Sequence, residues 1–188
     1  LMKRIFAKGT LRAFWEQHPD SEQYLKTWYE TSMNAVWENP VDVRRSYATV
    51  SILKGSRIVC NIKGNKYRLI VKFNFQKQWA FIRFIGTHSE YDKIDAPSGT
   101  PESDEADILG LMIDEYENRH FPIEAPDPIE AIKIRMEELN LKQVDLIPEI
   151  GGKSRVSEIL NRKRRLTVDM IRNLTSRLNL SAALLIKD

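Results

Sequence analysis

Residues 66–86 read KYRLIVKFNFQKQWAFIRFIG, two runs of branched and aromatic side chains separated by Gln76 and Lys77. Two such runs joined by a short polar turn are the signature of an antiparallel hairpin. In the first run Leu69, Val71, Phe73 and Phe75 alternate with Arg68, Ile70 and Lys72. That period of two sends successive side chains to opposite faces, so one face is core. The other, more open face carries Arg68 and Lys72, read as cations about 7 Å apart that could straddle a phosphate, or as a solvated strand face. Upstream, RIVCNI (57–62) adds a third strand across Lys63-Gly64-Asn65. An antiparallel meander with helices on one face, an α+β fold, is expected.

Toward the N-terminus, KRIFA (3–7) has the character of a short strand, and Leu11, Phe14 and Trp15 share one helical stripe that ends near Pro19. Asp20 or Ser21 can cap a second helix. Its apolar positions, Tyr24, Leu25, Trp28, Met33, Val36 and Trp37, run until Asn39-Pro40. Residues 40–56 give only a weak pattern.

Downstream of the strands, residues 86–94 read GTHSEYDKI and place His88, Tyr91 and Asp92 within five positions. Imidazole and phenol can each move a proton, and neighbouring cations can hold a phosphodiester. The same residues also fit a strand end in which His88 bonds to Asp92 and Tyr91 packs on the sheet edge. Arg83, by strict alternation, falls on the side of Trp79 and Phe81.

The net charge of +3 conceals three blocks: +7 over residues 1–96, −8 over 97–128 and +4 over 129–188. Two basic modules flank an acidic one able to lie against either of them. The stretch DAPSGTPESDEAD (95–107) has linker composition, which places a boundary near Ala96. Beyond it Leu109, Met112, Ile113 and Tyr116 mark an amphipathic acidic helix, followed by the prolines of PIEAPDP (122–128). Charge and apolar stripe together make this helix a candidate inhibitor of the basic N-terminal module, in contact within one chain or between chains.

Residues 129–188 form a dense series of short helices, an all-α module. LKQVDLIPEI leads through Gly151-Gly152 to KSRVSEILN, a helix, a glycine turn and a helix: the helix-turn-helix pattern of DNA-binding proteins. Gln143 opens the first helix of the pair, and Lys153, Ser154 and Arg155 open the second, where side chains can reach base edges. Val156, Ile159 and Leu160 face the core. Arg162, Lys163, Arg164 and Arg165 then supply four cations suited to phosphate clamping. A dimer on a two-fold operator is expected.

Several classes receive no support. No apolar run approaches the roughly 20 residues of a membrane helix, and the opening lacks a secretory h-region, so a cytoplasmic location is expected. The single Cys60 permits neither an intramolecular disulfide nor a thiol cluster for zinc. His18 and His120 lack partners at metal-binding spacing and read as structural. Neither a metal nor a cofactor is expected, and no glycine-rich phosphate loop is present.

Residues 127–180, DPIEAIKIRMEELNLKQVDLIPEIGGKSRVSEILNRKRRLTVDMIRNLTSRLNL, resemble the helix-turn-helix domain of HigA-type antitoxins, within the larger XRE and Cro-like repressor group. Residues 98–123 are similar to part of the N-terminal region of the same antitoxins. Residues 2–95 resemble HigB-type toxins of RelE-like fold, with two N-terminal helices and an antiparallel sheet. This resemblance implies cleavage of mRNA on the ribosome by attack of a 2′-hydroxyl on its adjacent phosphate, without a metal. His88 or Tyr91 would serve as base and acid, and Arg68, Lys72 and Arg83 would stabilise the developing charge. The antitoxin part would neutralise the toxin and repress its operon. The chain then reads as toxin (1–96), acidic linker and inhibitory helix (97–128) and DNA-binding domain (129–188). No Met lies between Met33 and Met112 to start a separate antitoxin, and Leu1 before Met2 reads as a cloning remnant. The rival reading is a single-chain transcription regulator whose N-terminal domain only senses or binds a ligand.

Overall fold

The structure, a computed structural model, describes residues 2–94, 116, 120 and 122–186. Five strands, β1 (Arg4–Phe6), β2 (Val50–Leu53), β3 (Arg57–Ile62), β4 (Tyr67–Asn74) and β5 (Trp79–Thr87), form one sheet in the order β1-β5-β4-β3-β2. β2 to β5 are antiparallel to their neighbours, and β1 lies parallel to β5 at the edge. The expected meander is therefore present and gains a strand on each side. Its alternation places Ile58, Cys60, Ile62, Leu69, Val71, Phe73, Ala80 and Ile82 on one buried face. Burial of these side chains, at about 25 cal/mol per Å² of apolar surface, is what the helices add to the sheet.

Those helices are α1 (Gly9–Gln17), α2 (Glu22–Asn34) and α3 (Pro40–Ser46), which contribute Leu11, Trp15, Leu25, Trp28 and Val43 to the same core. The second helix ends earlier than its apolar spacing suggests. Asn34 is its last residue, Val36 is exposed, and Trp37 enters the core from the connection. Asn39-Pro40 begins a helix instead of ending one: the Asn39 side chain accepts from the Val41 and Asp42 N–H groups, and proline is tolerated in a first turn. The burial of Cys60 pushes its thiol up to about 12, as befits a core residue.

The second half is all helical. α5 (Pro128–Glu138) is capped by Asp127, and a 3₁₀ turn (Gln143–Leu146) runs into α6 (Ile147–Ile150); between the halves, α4 (His88–Tyr91) follows β5. α7 (Lys153–Leu160), α8 (Val168–Leu178) and α9 (Ala182–Ile186) complete the chain. Gly151 and Gly152 join α6 to α7 with φ of 94° and 157°, positive backbone angles that favour glycine. Ala131, Ile132, Leu146, Ile150, Val156, Ile159, Leu174, Leu178 and Leu184 form a second hydrophobic cluster.

The two clusters meet where α5 packs on α2. At this seam Arg135 is fully buried. Its Nε donates to the Leu178 carbonyl and its Nη2 to the Ser46 carbonyl, both at 2.8 Å, while Nη1 meets Glu138 Oε2 at 2.5 Å. The guanidinium also lies 4.9 Å over the Tyr47 ring. The Ala48 N–H donates to the Glu138 carbonyl, Tyr24 Oη to Glu137, Ser181 Oγ to Glu30, and the Asp127 N–H to Gln23 Oε1. Burial raises the Tyr24 phenol and Glu137 raises it further; burial likewise raises the Glu138 carboxyl, against the pull of Arg135.

Removing one partner of a buried, hydrogen-bonded charge pair costs about 3 to 5 kcal/mol, because the other is left uncompensated. Arg135→Ala is expected to lower unfolding stability by that amount in denaturant titrations. A loss below about 1 kcal/mol, the scale of a surface pair, would show that the seam does not depend on this contact.

Candidate functional site

β5 delivers the chain into α4, and the turn is fixed by three residues. Thr87 Oγ1 accepts from the Glu90 N–H, and Glu90 Oε2 accepts from the Thr87 N–H at 2.7 Å and the Thr87 hydroxyl at 2.9 Å. These bonds to Thr87 hold the Glu90 carboxyl below its usual range. A Cβ at Gly86 would lie 2.4 Å from Phe84 Cζ and 3.0 Å from Glu90 Oε2, so both side chains would have to move to admit one. The α4 turn then presents His88, whose Nδ1 bonds Asp92 Oδ2 at 3.0 Å, and the half-buried Tyr91. The bond fixes one ring nitrogen and leaves the other for proton transfer. It is also the bond that a plain strand end would make.

The cations do not form the single group expected. Arg68 pairs with Gly86 across the sheet, beside the α4 turn, but it is buried rather than open. Its Nη1 donates to the Asn65 and Tyr67 carbonyls at 3.1 and 3.4 Å. Lys72 is four residues further along β4, about 13 Å at strand rise, and no single phosphate spans that distance; 7 Å is the spacing of an i, i+2 pair. Lys72 instead lies opposite Arg57 on β3 and Phe81 on β5. Arg83 is exposed at an irregularity of register: Ile70 pairs with Phe84 but Val71 with Ile82, so Arg83 is the extra residue of a bulge. Its guanidinium lies 5.6 Å over Phe81, on the side that alternation gives. Burial and the nearby Arg57 both lower its pKa.

Two clusters result: Arg68 with the α4 turn, and Arg57, Lys72 and Arg83 around Phe81. Phe6 stacks on Phe81 at 4.6 Å and meets Trp79 edge-on at 5.4 Å, extending an aromatic strip along the sheet. Nothing in the sequence pattern marks Arg57, because only strand pairing puts it opposite Lys72. Asp20 was read as a helix cap, yet it accepts from Lys63, Lys66 and the Tyr67 hydroxyl at 2.7, 2.6 and 2.8 Å. It thus ties the corner between α1 and α2 to the β3–β4 turn. The His18 ring packs at a tilt against Phe14 and Tyr67, and the His120 ring lies 4.1 Å from that of Tyr116.

In the helical half, Gln143 opens the 3₁₀ turn, and Lys153, Ser154 and Arg155 form the exposed first turn of α7. Val156, Ile159 and Leu160 are buried, as their spacing requires. Of the four following cations, Arg162 grips Asp127 with both Nη atoms, at 3.0 and 2.7 Å, and Arg164 Nε meets Glu158 at 2.5 Å. All four, Lys163 and Arg165 included, are exposed. Leu109, Met112 and Ile113 of the expected inhibitory helix lie outside the described residues; Tyr116 is exposed. Among the described residues no helix is long and apolar enough to cross a membrane.

Comparison with known proteins finds two kinds of likeness. Residues 21–94 match the HigB_toxin family, the RelE-like toxic component of a toxin-antitoxin system. Over 61 residues the chain is 43% identical to the protein named Antitoxin HigA of Escherichia coli strain K12 and to its namesake in Shigella flexneri. That stretch is 32% of this chain and 44% of each relative, so the chain spans less than half the length of the antitoxins it matches. The chain is thus similar both to a toxin family and to an antitoxin.

The Asp20 carboxyl is held well below the usual carboxylate range, first by Lys63, then by Lys66 and Tyr67. A depressed native pKa stabilises the fold above the unfolded value of about 3.9, and that contribution is lost as pH falls through the native value. Asp20→Asn is therefore expected to be less stable than the parent near neutrality and to converge on it in strong acid. Parallel curves of unfolding midpoint against pH would assign Asp20 no such role.

Proposed function

Starting from a chain that joins a HigB-like toxin segment to a HigA-like antitoxin segment, we propose that its N-terminal half is a ribosome-dependent mRNA endonuclease. The observation that carries this reading is the α4 turn, where His88, oriented by Asp92, lies beside Tyr91 and one strand from Arg68. Cleavage needs a base to take the 2′-hydroxyl proton, an acid to protonate the leaving 5′-oxygen, and cations for the charge that develops on the phosphate. His88 and Tyr91 fill the first two roles. Arg68 serves the scissile phosphate, while Lys72 and Arg83, joined by Arg57, hold a flanking phosphate of an extended strand. Phe81 and Trp79 offer ring faces for unstacked bases.

The C-terminal half, in this proposal, is a helix-turn-helix antitoxin domain that binds operator DNA as a homodimer and represses transcription. Lys153, Ser154 and Arg155 on α7, with Gln143 nearby, read base edges. The acidic residues 97–128 neutralise the toxin through their charge of −8, opposed to +7 on residues 1–96. The whole would act in the cytoplasm. A second reading, a regulator with a non-catalytic N-terminal half, draws its support from Arg68, which is buried and spends its Nη1 on backbone carbonyls.

Tightly controlled expression of residues 2–94 separates the two. Growth arrest with loss of mRNA is expected, and His88→Ala and Tyr91→Phe should each cut the cleavage rate by about 100-fold or more in folded protein. Harmless soluble protein would favour the regulator, and full toxicity in both variants would remove these residues from the chemistry. For the other half, Arg155→Ala should cost about 1 to 3 kcal/mol on operator duplex and little on random duplex; equal losses on both would contradict base reading.

A further inference from the structure

Resting on the endonuclease reading, we propose that Asp20 is a positioning residue for the α4 turn: it clamps the β3–β4 turn, and the Lys66 carbonyl of that turn holds the N–H of His88. A base must sit within hydrogen-bond reach of the proton it takes, so the placement of His88 matters as much as its chemistry. Residues 63–66 join β3 to β4, and the Lys66 N–H closes them on the Lys63 carbonyl at 3.1 Å. The Lys66 carbonyl then accepts from the His88 N–H at 3.3 Å, one step beyond the Tyr67–Thr87 pair that ends the register of β4 and β5. The first residue of α4 is thus tied to the turn, and with it the ring that bonds Asp92.

The turn needs holding. Lys63 has φ of 54°, a left-handed conformation that a side chain disfavours and that persists where the surroundings fix it. Asp20 supplies the fixing. Its Oδ2 accepts from Lys63 Nζ at 2.7 Å and from Lys66 Nζ at 2.6 Å, and its Oδ1 from the Tyr67 hydroxyl at 2.8 Å. One carboxylate therefore spans both ends of the turn and the first residue of β4, with two short, charge-assisted bonds among the three. Asp20 is itself placed in the 3₁₀ turn Pro19–Ser21 between α1 and α2, where the Ser21 N–H and hydroxyl both donate to the His18 carbonyl, at 2.9 and 2.7 Å. Arg68 Nη1 takes the carbonyls of Asn65 and Tyr67, on either side of Lys66, which leaves the Lys66 carbonyl to His88. Asp20 thus acts on His88 through the backbone of the turn.

Amide hydrogen exchange followed by NMR on the full chain tests the clamp without requiring cleavage. The reference is the Lys3 N–H, which donates to the Gln78 carbonyl at 2.8 Å, beyond the other end of β5. Asp20→Asn removes the charge and keeps the shape. It is expected to speed exchange at His88 by about ten-fold and to leave Lys3 unchanged, and Asp20→Glu, which keeps the charge, should recover part of the protection. An Asp20 that only stabilises the fold would change both amides alike, because a loss of global stability does not choose between two ends of one ladder. Equal acceleration at the two, or no change at His88, would overturn the assignment. A His88 amide without protection in the parent would overturn it as well, since the bond to Lys66 would then be absent in solution. Should Asp20→Asn fail to fold, Lys66→Met withdraws one clamping bond alone and is read at the same pair of amides. Failure of the endonuclease reading shows separately, as harmless expression of residues 2–94, and does not move these rates.

Discussion

The buried guanidinium of Arg135 is where the two hydrophobic clusters of this protein become one structure. It donates to a carbonyl from each half, Ser46 and Leu178, and its charge is matched by Glu138 one turn further along the same helix. A cation without solvent is tolerable only when its donors are occupied and its charge is opposed, and the Tyr47 ring face adds a third kind of compensation. That requirement constrains everything nearby. α5 must approach α2 closely enough for Arg135 to reach the end of α3, and the C-terminal end of α8 must turn its last carbonyls toward the same point. The Tyr24–Glu137, Ser181–Glu30 and Asp127–Gln23 contacts sit around this centre and are individually the modest bonds of a polar rim.

The position of the seam bears on function. Its hydrogen bonds use Gln23, Tyr24, Glu30, Ser46 and Ala48, residues of α2, of the end of α3 and of the connection after it. None belongs to the sheet face that carries Lys72, Arg83 and Phe81. The helical half is therefore fastened away from that face, where the proposal puts the flanking phosphate. In the proposed scheme, neutralisation by the acidic segment and attachment through the seam are separate acts. A seam that fixes geometry and a segment that competes for a charged face answer differently to salt, because the first is buried and the second depends on long-range attraction.

Much of the fold is legible in the alternation of residues 57–85, because a half-buried strand imposes a period that composition cannot disguise. Most of the longer helices are also plain from their apolar spacing, although α2 stops short of its apolar stripe. What escapes is whatever depends on a partner distant in sequence. Arg135 reads as a polar position on an amphipathic helix and becomes the most buried cation described only because Ser46 and Leu178 converge on it. Arg68 reads as open because its strand neighbours alternate, whereas the turn carbonyl of Asn65 folds back over it. Arg57 and Lys72 become opposite residues through register alone, and Arg83 is left without a cross-strand partner on β4 by a bulge that no local pattern announces. α3 and β2 were invisible in residues 40–56 because both are short, and short elements carry too few periods to register.

The two halves are held by the seam centred on Arg135 and not merely by the peptide linking them. Inserting a protease site within residues 97–106, cutting the folded protein and measuring the mass of the eluting species in solution tests it directly. Co-elution of both fragments as one particle, lost when Arg135→Ala is introduced, is the predicted result. Separation of the fragments from the unaltered protein would contradict the account.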